Sequence, residues 1–136
     1  MMIKNLLLFV FCCLQILVYG QNAPLDSLEQ RFSTEKDNGQ KLELLSTMTS
    51  HAFEENIHVA LGYAKRGVAL SEQTGDKNWQ PKFYEMQGRM HANLHQLDSA
   101  VLFFNKATIG YQVVGNKKGE ATTAFKLAWV HKKKGE

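Results

Sequence analysis

The sequence predicts an all-α fold, an α-solenoid of antiparallel helix pairs, and three observations carry that expectation. The first is internal repetition. Ala60-Leu61-Gly62-Tyr63-Ala64 returns 40 residues later as Ala100-Val101-Leu102-Phe103-Phe104, and Gly75-Asp76-Lys77 returns as Gly115-Asn116-Lys117. His51, His91 and His131 fall on the same phase. A fixed period of about 20–50 residues marks stacked units, none of which can bury its own apolar face alone. The second observation is periodicity. After Gly20 the apolar residues recur three and four apart, and no strand-like alternation of any length appears. The third is punctuation. Only Pro24 and Pro81 interrupt the chain, and Gly39, Gly75 and Gly115 fall where helices should stop.

The first twenty residues are a different material. Met1-Met2-Ile3-Lys4 is a short basic start, and Leu6 to Tyr19 is apolar apart from Gln15. That run is shorter than the roughly 20 residues a membrane-spanning helix needs. Followed by Val18-Tyr19-Gly20, it reads as a secretory signal peptide, residues 1–20, cleaved before Gln21. An uncleaved N-terminal anchor is the alternative. Cys12 and Cys13 are the only cysteines, and both lie inside the apolar run. The mature chain then has neither disulfides nor thiol chemistry.

Residues 21–39 form a polar leader and a short helix, with Leu25, Leu28 and Phe32 on one face and Asp37-Asn38-Gly39 as its break. Residues 40–136 hold the repeats: 40–79, 80–119 and a partial unit, 120–136. In the first, Leu42, Leu45, Met48, Ala52 and Phe53 share a helix face. Asn56 then caps a helix over Ile57 to Thr74. In the second, a helix starts near Pro81 and carries Phe83, Met86, Met90 and Leu94. Asp98 is the expected N-cap of its partner, Ser99 to Val114, whose bulk is Phe103, Phe104, Ala107 and Tyr111. A last helix runs from about Lys118 to Lys134.

Set in register on Ala60 and Ala100, these units resemble the tetratricopeptide repeat. Tyr84, Gln87, Gly88 and His91 match the first-helix slots of that pattern. Ala100, Phe104 and Ala107 match the second-helix slots, as do Ala60, Ala64 and Gly67 one unit earlier. Ala124, Leu127, Ala128 and His131 take the first-helix slots of the partial unit. The period of 40 exceeds the usual 34 of the family. Six extra residues at about 1.5 Å each lengthen every unit by roughly 9 Å of helix. The resemblance implies about two and a half long-helix repeats. It assigns repeat packing to Ala60, Ala64, Gly67, Tyr84, Gly88, Ala100, Phe104, Ala107, Leu127 and Ala128. It also places Leu42, Leu45, Thr49 and Phe53, then Lys82, Glu85, Arg89 and Asn93, then Thr122, Phe125, Trp129 and Lys133, on the concave side. In the first of these sets apolar members such as Leu45 and Phe53 are expected to pack on the N-terminal helix, since Leu25, Leu28 and Phe32 need a surface to cover. Of all these concave-side residues, Glu85, Arg89, Asn93, Phe125 and Trp129 form the expected binding set.

The residues offer little for catalysis or cofactors. His91 and His95 are four apart, but Ala92 stands where the H-E-x-x-H base would be, so no metal is expected. Gly62 to Gly67 and Gly115 to Gly119 follow no strand, which excludes phosphate-loop and dinucleotide readings. No nucleophile-elbow motif is present. Glu54 and Glu55 are adjacent and point to different sides of a helix. The net charge of +3 is too small to imply nucleic acid. Lys132-Lys133-Lys134 closes a helix and complements its dipole.

The sequence thus predicts a non-catalytic scaffold without cofactor, exported to the periplasm or cell envelope, that binds a protein or peptide on its concave face. A membrane would be met only through an uncleaved N-terminus or a downstream segment. By resemblance, the alternative is the extracytoplasmic sensor region of a larger histidine kinase, nucleotide cyclase or helix-turn-helix regulator. The last helix, with Ala124, Leu127, Ala128 and Val130, lacks the partner that the repeat plan calls for, so a longer protein is expected.

Overall fold

The scarcity of proline and the three-four spacing of apolar side chains leave the backbone one economical way to pair its polar groups, within helices. The computed structural model describes residues 24–136, and every regular element among them is α-helical. The expected signal peptide, residues 1–20, and the start of the leader, residues 21–23, lie outside the described residues. The chain divides between Thr34 and Glu35 into two compact units. Of the first, residues 24–34 form helix α1, with Leu25, Leu28, Glu29 and Phe32 half-buried along one stripe.

The second unit contains α2 (Asn38–Glu55), α3 (Ile57–Thr74), α4 (Trp79–Asn93), α5 (Leu97–Val113) and α6 (Lys117–Lys134). Each packs chiefly on its neighbours in sequence, and α2 also reaches α4. Side-chain caps fix several of the starts. Asp37 Oδ1 accepts the Gln40 N–H at 2.8 Å, which draws Asn38 and Gly39 into the first turn of α2. The expected break therefore falls before Asn38 rather than at Gly39. Asn56 Oδ1 accepts from His58 and Val59 at 3.0 and 3.3 Å and starts α3. Asn116 caps α6 by accepting from Gly119 at 2.9 Å. Asp98 is not the cap of α5. The helix begins at Leu97, and Asp98 stands in its first turn, 2.9 Å from Lys134 Nζ. The turn before it closes by backbone bonds, Gln96 N–H to His91 O at 2.9 Å, so the helix starts without a side-chain cap.

The sequence period is also a period in backbone conformation. Gly75 and Gly115 end α3 and α5 regions with φ of 70° and 69°. His95 and Gly135 follow α4 and α6 with φ of 57° and 85°. The closing bonds repeat as well: Asp76 N–H to Ser71 O matches Asn116 N–H to Tyr111 O, and Gln96 to His91 matches Glu136 to His131.

Packing between helices depends on glycine facing an aromatic ring. A Cβ on Gly67 of α3 would stand 2.3 Å from Phe83 of α4. One on Gly88 of α4 would stand 2.7 Å from Phe104 of α5, and one on Gly119 of α6 would stand 2.6 Å from Tyr111 of α5. Phe83 and Phe104 are almost completely buried as a result. Fully burying such a side chain contributes about 1.5–3 kcal/mol. Phe104, Ala92, Ala100 and Val130 form one core cluster, with Leu97, Val101 and Leu127 packed around it. Among the residues assigned to repeat packing, Ala60, Ala64, Gly67, Gly88, Ala100, Phe104 and Ala107 are buried. Tyr84 and Leu127 are half-buried. Ala128 is exposed, because α6 turns Gly119, Thr123 and Val130 inward instead.

Candidate functional site

Helix α4 packs chiefly on α3 and α5, while its Arg89 reaches Phe53 of α2 and its Glu85 reaches Lys126 of α6, and there polar and apolar surfaces meet. Glu85, Arg89 and Asn93 recur at helical spacing on α4; Phe125 and Trp129 recur on α6. The structure brings them together in two adjoining depressions. One, of about 410 Å³, is polar and is lined by Lys82, Glu85, Met86, Arg89, Tyr111 and Lys126, with Ser50, Asn78 and Asn116 at its rim. The other, of about 260 Å³, is largely apolar and is lined by Ala92, Phe104, Phe125 and Trp129, with Arg89, Asn93 and Lys126. Arg89 and Lys126 border both.

Glu85 organises the polar cleft. Its Oε2 accepts from the Tyr111 hydroxyl at 2.6 Å, and its Oε1 meets Lys126 Nζ at 2.5 Å. Burial pushes the Tyr111 phenol far above its ordinary range, and the hydrogen bond to Glu85 and that carboxylate's charge add to the shift. Tyr111 is therefore a neutral donor. Arg89 lies with its guanidinium 4.3 Å over the Phe53 ring, and Lys82 Nζ lies 4.2 Å over the Trp79 ring. Asn93 donates to the Arg89 carbonyl at 2.9 Å. Ser50 Oγ donates to the Ser46 carbonyl at 3.1 Å. The arrangement can hold an anion beside an apolar group.

Other residues on the expected concave side are placed differently. Leu42, Leu45 and Thr49 are fully buried and offer no surface. Thr49 spends its hydroxyl on the Leu45 carbonyl at 2.7 Å. Phe53 is half-buried beneath Arg89. On α6, Phe125 is 75% exposed and Trp129 45%, with Lys133 Nζ 5.1 Å over the indole.

Sequence reasoning missed Lys126 and the role of Tyr111. Lys126 reads as a solvated helix lysine, since nothing local marks its ion pair with a residue 41 positions earlier. Tyr111 reads as helix bulk, and only its buried hydroxyl reveals the second function. The histidines find structural employment. The His91 ring stacks on Phe103 with centroids 5.0 Å apart, and its Nδ1 lies 2.6 Å from Gln96 Oε1. His95 occupies the left-handed turn. Among the described residues no group of three or more His, Cys, Asp or Glu is placed to hold a metal ion. No helix among them is long and apolar enough to cross a membrane.

Neither a protein-family model nor a curated protein matches the chain. What stands on the residues alone is an all-helical, repeat-like fold with a polar cleft and an apolar trough side by side on α4 and α6.

Proposed function

We propose that the chain is a non-catalytic solenoid of the long tetratricopeptide type that binds a protein or peptide on the surface shared by α4 and α6. The observation that carries this reading is the apolar trough, where Phe125 and Trp129 stand exposed beside Arg89 and Asn93. A joined patch of large apolar side chains with a polar rim is the usual form of an interaction site. Aromatic and arginine side chains are also those that dominate binding energy at such surfaces. The repeated turn conformations and the ordered contacts between successive helices support the solenoid. The character of residues 1–20 supports export to the periplasm or cell envelope.

The test is a peptide-display selection on the full chain, with the selected peptides then measured against variants. Phe125→Ser and Trp129→Ser should each weaken them, while Ile109→Ser, on the exposed side of α5, should not. Selected peptides that lose affinity only with Ile109→Ser would place the binding surface elsewhere and reject this reading.

A further inference from the structure

The polar cleft carries more positive charge than it neutralises. Lys82, Arg89 and Lys126 face one carboxylate, Glu85, so two positive charges remain in excess. Glu85 is already engaged at both oxygens, by Tyr111 and Lys126. The other two cations rest on aromatic rings, Arg89 on Phe53 and Lys82 on Trp79. A ring face attracts a cation but gives its N–H groups no lone pair. Arg89 Nε is buried and has no hydrogen-bond partner among the described residues. An excess of cations in a partly desolvated cleft draws an anion, because the local dielectric is lower than in bulk water. The adjoining trough asks for the opposite chemistry, with Ala92, Phe104, Phe125 and Trp129 on its walls.

Building on the reading of this surface as a peptide site, we propose that its partner is an acidic amphipathic segment. An Asp or Glu side chain enters the cleft between Lys82, Arg89 and Lys126. An apolar side chain of the same segment covers Phe125 and Trp129. Both depressions are open to solvent, so a continuous segment can cross them, and the proposed carboxylate is that of a side chain rather than that of a C-terminus. Glu85 acts as an internal competitor that shares Lys126 with the incoming group.

The probes are short peptides, acetylated and amidated, that carry one Glu and one Phe at varied spacing in a Ser-Gly background. Each has a twin with Gln in place of Glu. Fluorescence polarisation with the full chain reads their affinities. The best Glu peptide should bind about tenfold more tightly than its Gln twin, as a charge-assisted contact at a half-exposed site provides. Arg89→Met and Lys126→Met should each erase that preference. Lys126 pairs with Glu85 and is not a partner in the Arg89–Phe53 contact, so its replacement tests the charge while that contact keeps both its members. Glu85→Gln should tighten the Glu peptide and leave its twin unchanged. Exchanging the C-terminal amide for a free acid should change neither.

Equal affinity of the twins overturns the acidic-segment proposal, as does a preference that follows the free C-terminus. If the twins bind equally yet both weaken with Phe125→Ser, the peptide reading survives and only the acidic specificity fails. If none of these peptides binds while display-selected peptides still dock on Phe125 and Trp129, the outcome is the same.

Discussion

At the level of single residues, glycine carries two opposite roles in this chain. Gly88 sits where a Cβ would meet the Phe104 ring at 2.7 Å, whereas Gly62 has nothing within 4 Å. Both lie inside helices. Alanine at Gly62 should stabilise the fold by about 0.5–1 kcal/mol through helix propensity. Alanine at Gly88 gains the same propensity but overpacks the α4–α5 contact, which costs about 1–3 kcal/mol. Urea midpoints should therefore rise for Gly62→Ala and fall for Gly88→Ala. Midpoints that both rise would mean that the Phe104 ring yields freely and that the contact is not tight. Tyr111 makes a second prediction. Its pKa is raised in the folded chain above the ordinary 10.0, because burial and Glu85 disfavour the phenolate. The stability this gives is complete below about pH 10, where the unfolded phenol is also neutral. It is lost as pH rises beyond that value, since the unfolded chain ionises first. Unfolding free energies at pH 8 and pH 10.5 should therefore differ less for Tyr111→Phe than for the parent. Tyr84, also raised, chiefly by burial and then by Glu72, keeps part of the slope in that variant. An unchanged slope would show that Tyr111 is not held neutral by its site.

At the level of elements, the helix ends obey the 40-residue period more strictly than the helix faces do. Gly75, Gly115 and Gly135 take positive φ, and His95 takes it without being glycine. A left-handed residue with a Cβ is strained by about 1–2 kcal/mol. His95→Gly should therefore raise the unfolding free energy by about 1 kcal/mol after glycine's greater unfolded freedom is counted, and the urea midpoint with it. His95→Val, β-branched at a left-handed position, should lower it. A fall on His95→Gly would mean that the exposed imidazole contributes more than the strain costs. The faces are less regular because burial depends on what each helix meets. Ala128 occupies a packing slot by register, yet α6 buries Val130 and Thr123 and leaves Ala128 outside. Thr123 is buried at no cost because its hydroxyl bonds the Gly119 carbonyl and receives the Thr108 hydroxyl at 2.8 Å.

At the level of the larger unit, residues 35–136, nearly all packing is between successive helices. Such an array gains stability from nearest-neighbour interfaces, so its elements need not open together. Helix α5 is enclosed by α4 and α6, whereas α6 rests chiefly on α5. Hydrogen exchange should therefore be faster for the amides of Thr122 to Val130 than for those of Ala100 to Ala107. Equal protection would show a single cooperative unit instead. A bound peptide across α4 and α6 should slow exchange in α6 most, because it adds a second neighbour to the less supported helix.

The sequence by itself determined the helical class, the 40-residue period and the identity of most helix ends. These follow from local physics: apolar spacing, a side-chain cap at Asn56, and glycine's access to positive φ. The caps at Asp37 and Asn116 come from the structure, and Asp98, which reads as a cap, is not one. Through its resemblance to the tetratricopeptide pattern the sequence also singled out Glu85, Arg89, Asn93, Phe125 and Trp129. Only the tertiary structure decided what those residues form. It buried Leu42, Leu45 and Thr49 of the first concave-side set, and it left Ala128 exposed. It joined Glu85 to Tyr111 and Lys126 across 26 and 41 residues. Contacts that long depend on the angle and distance between packed helices, which no local pattern of spacing encodes. The cleft is for that reason a property of α4, α5 and α6 meeting, with its charge drawn from α4 and α6.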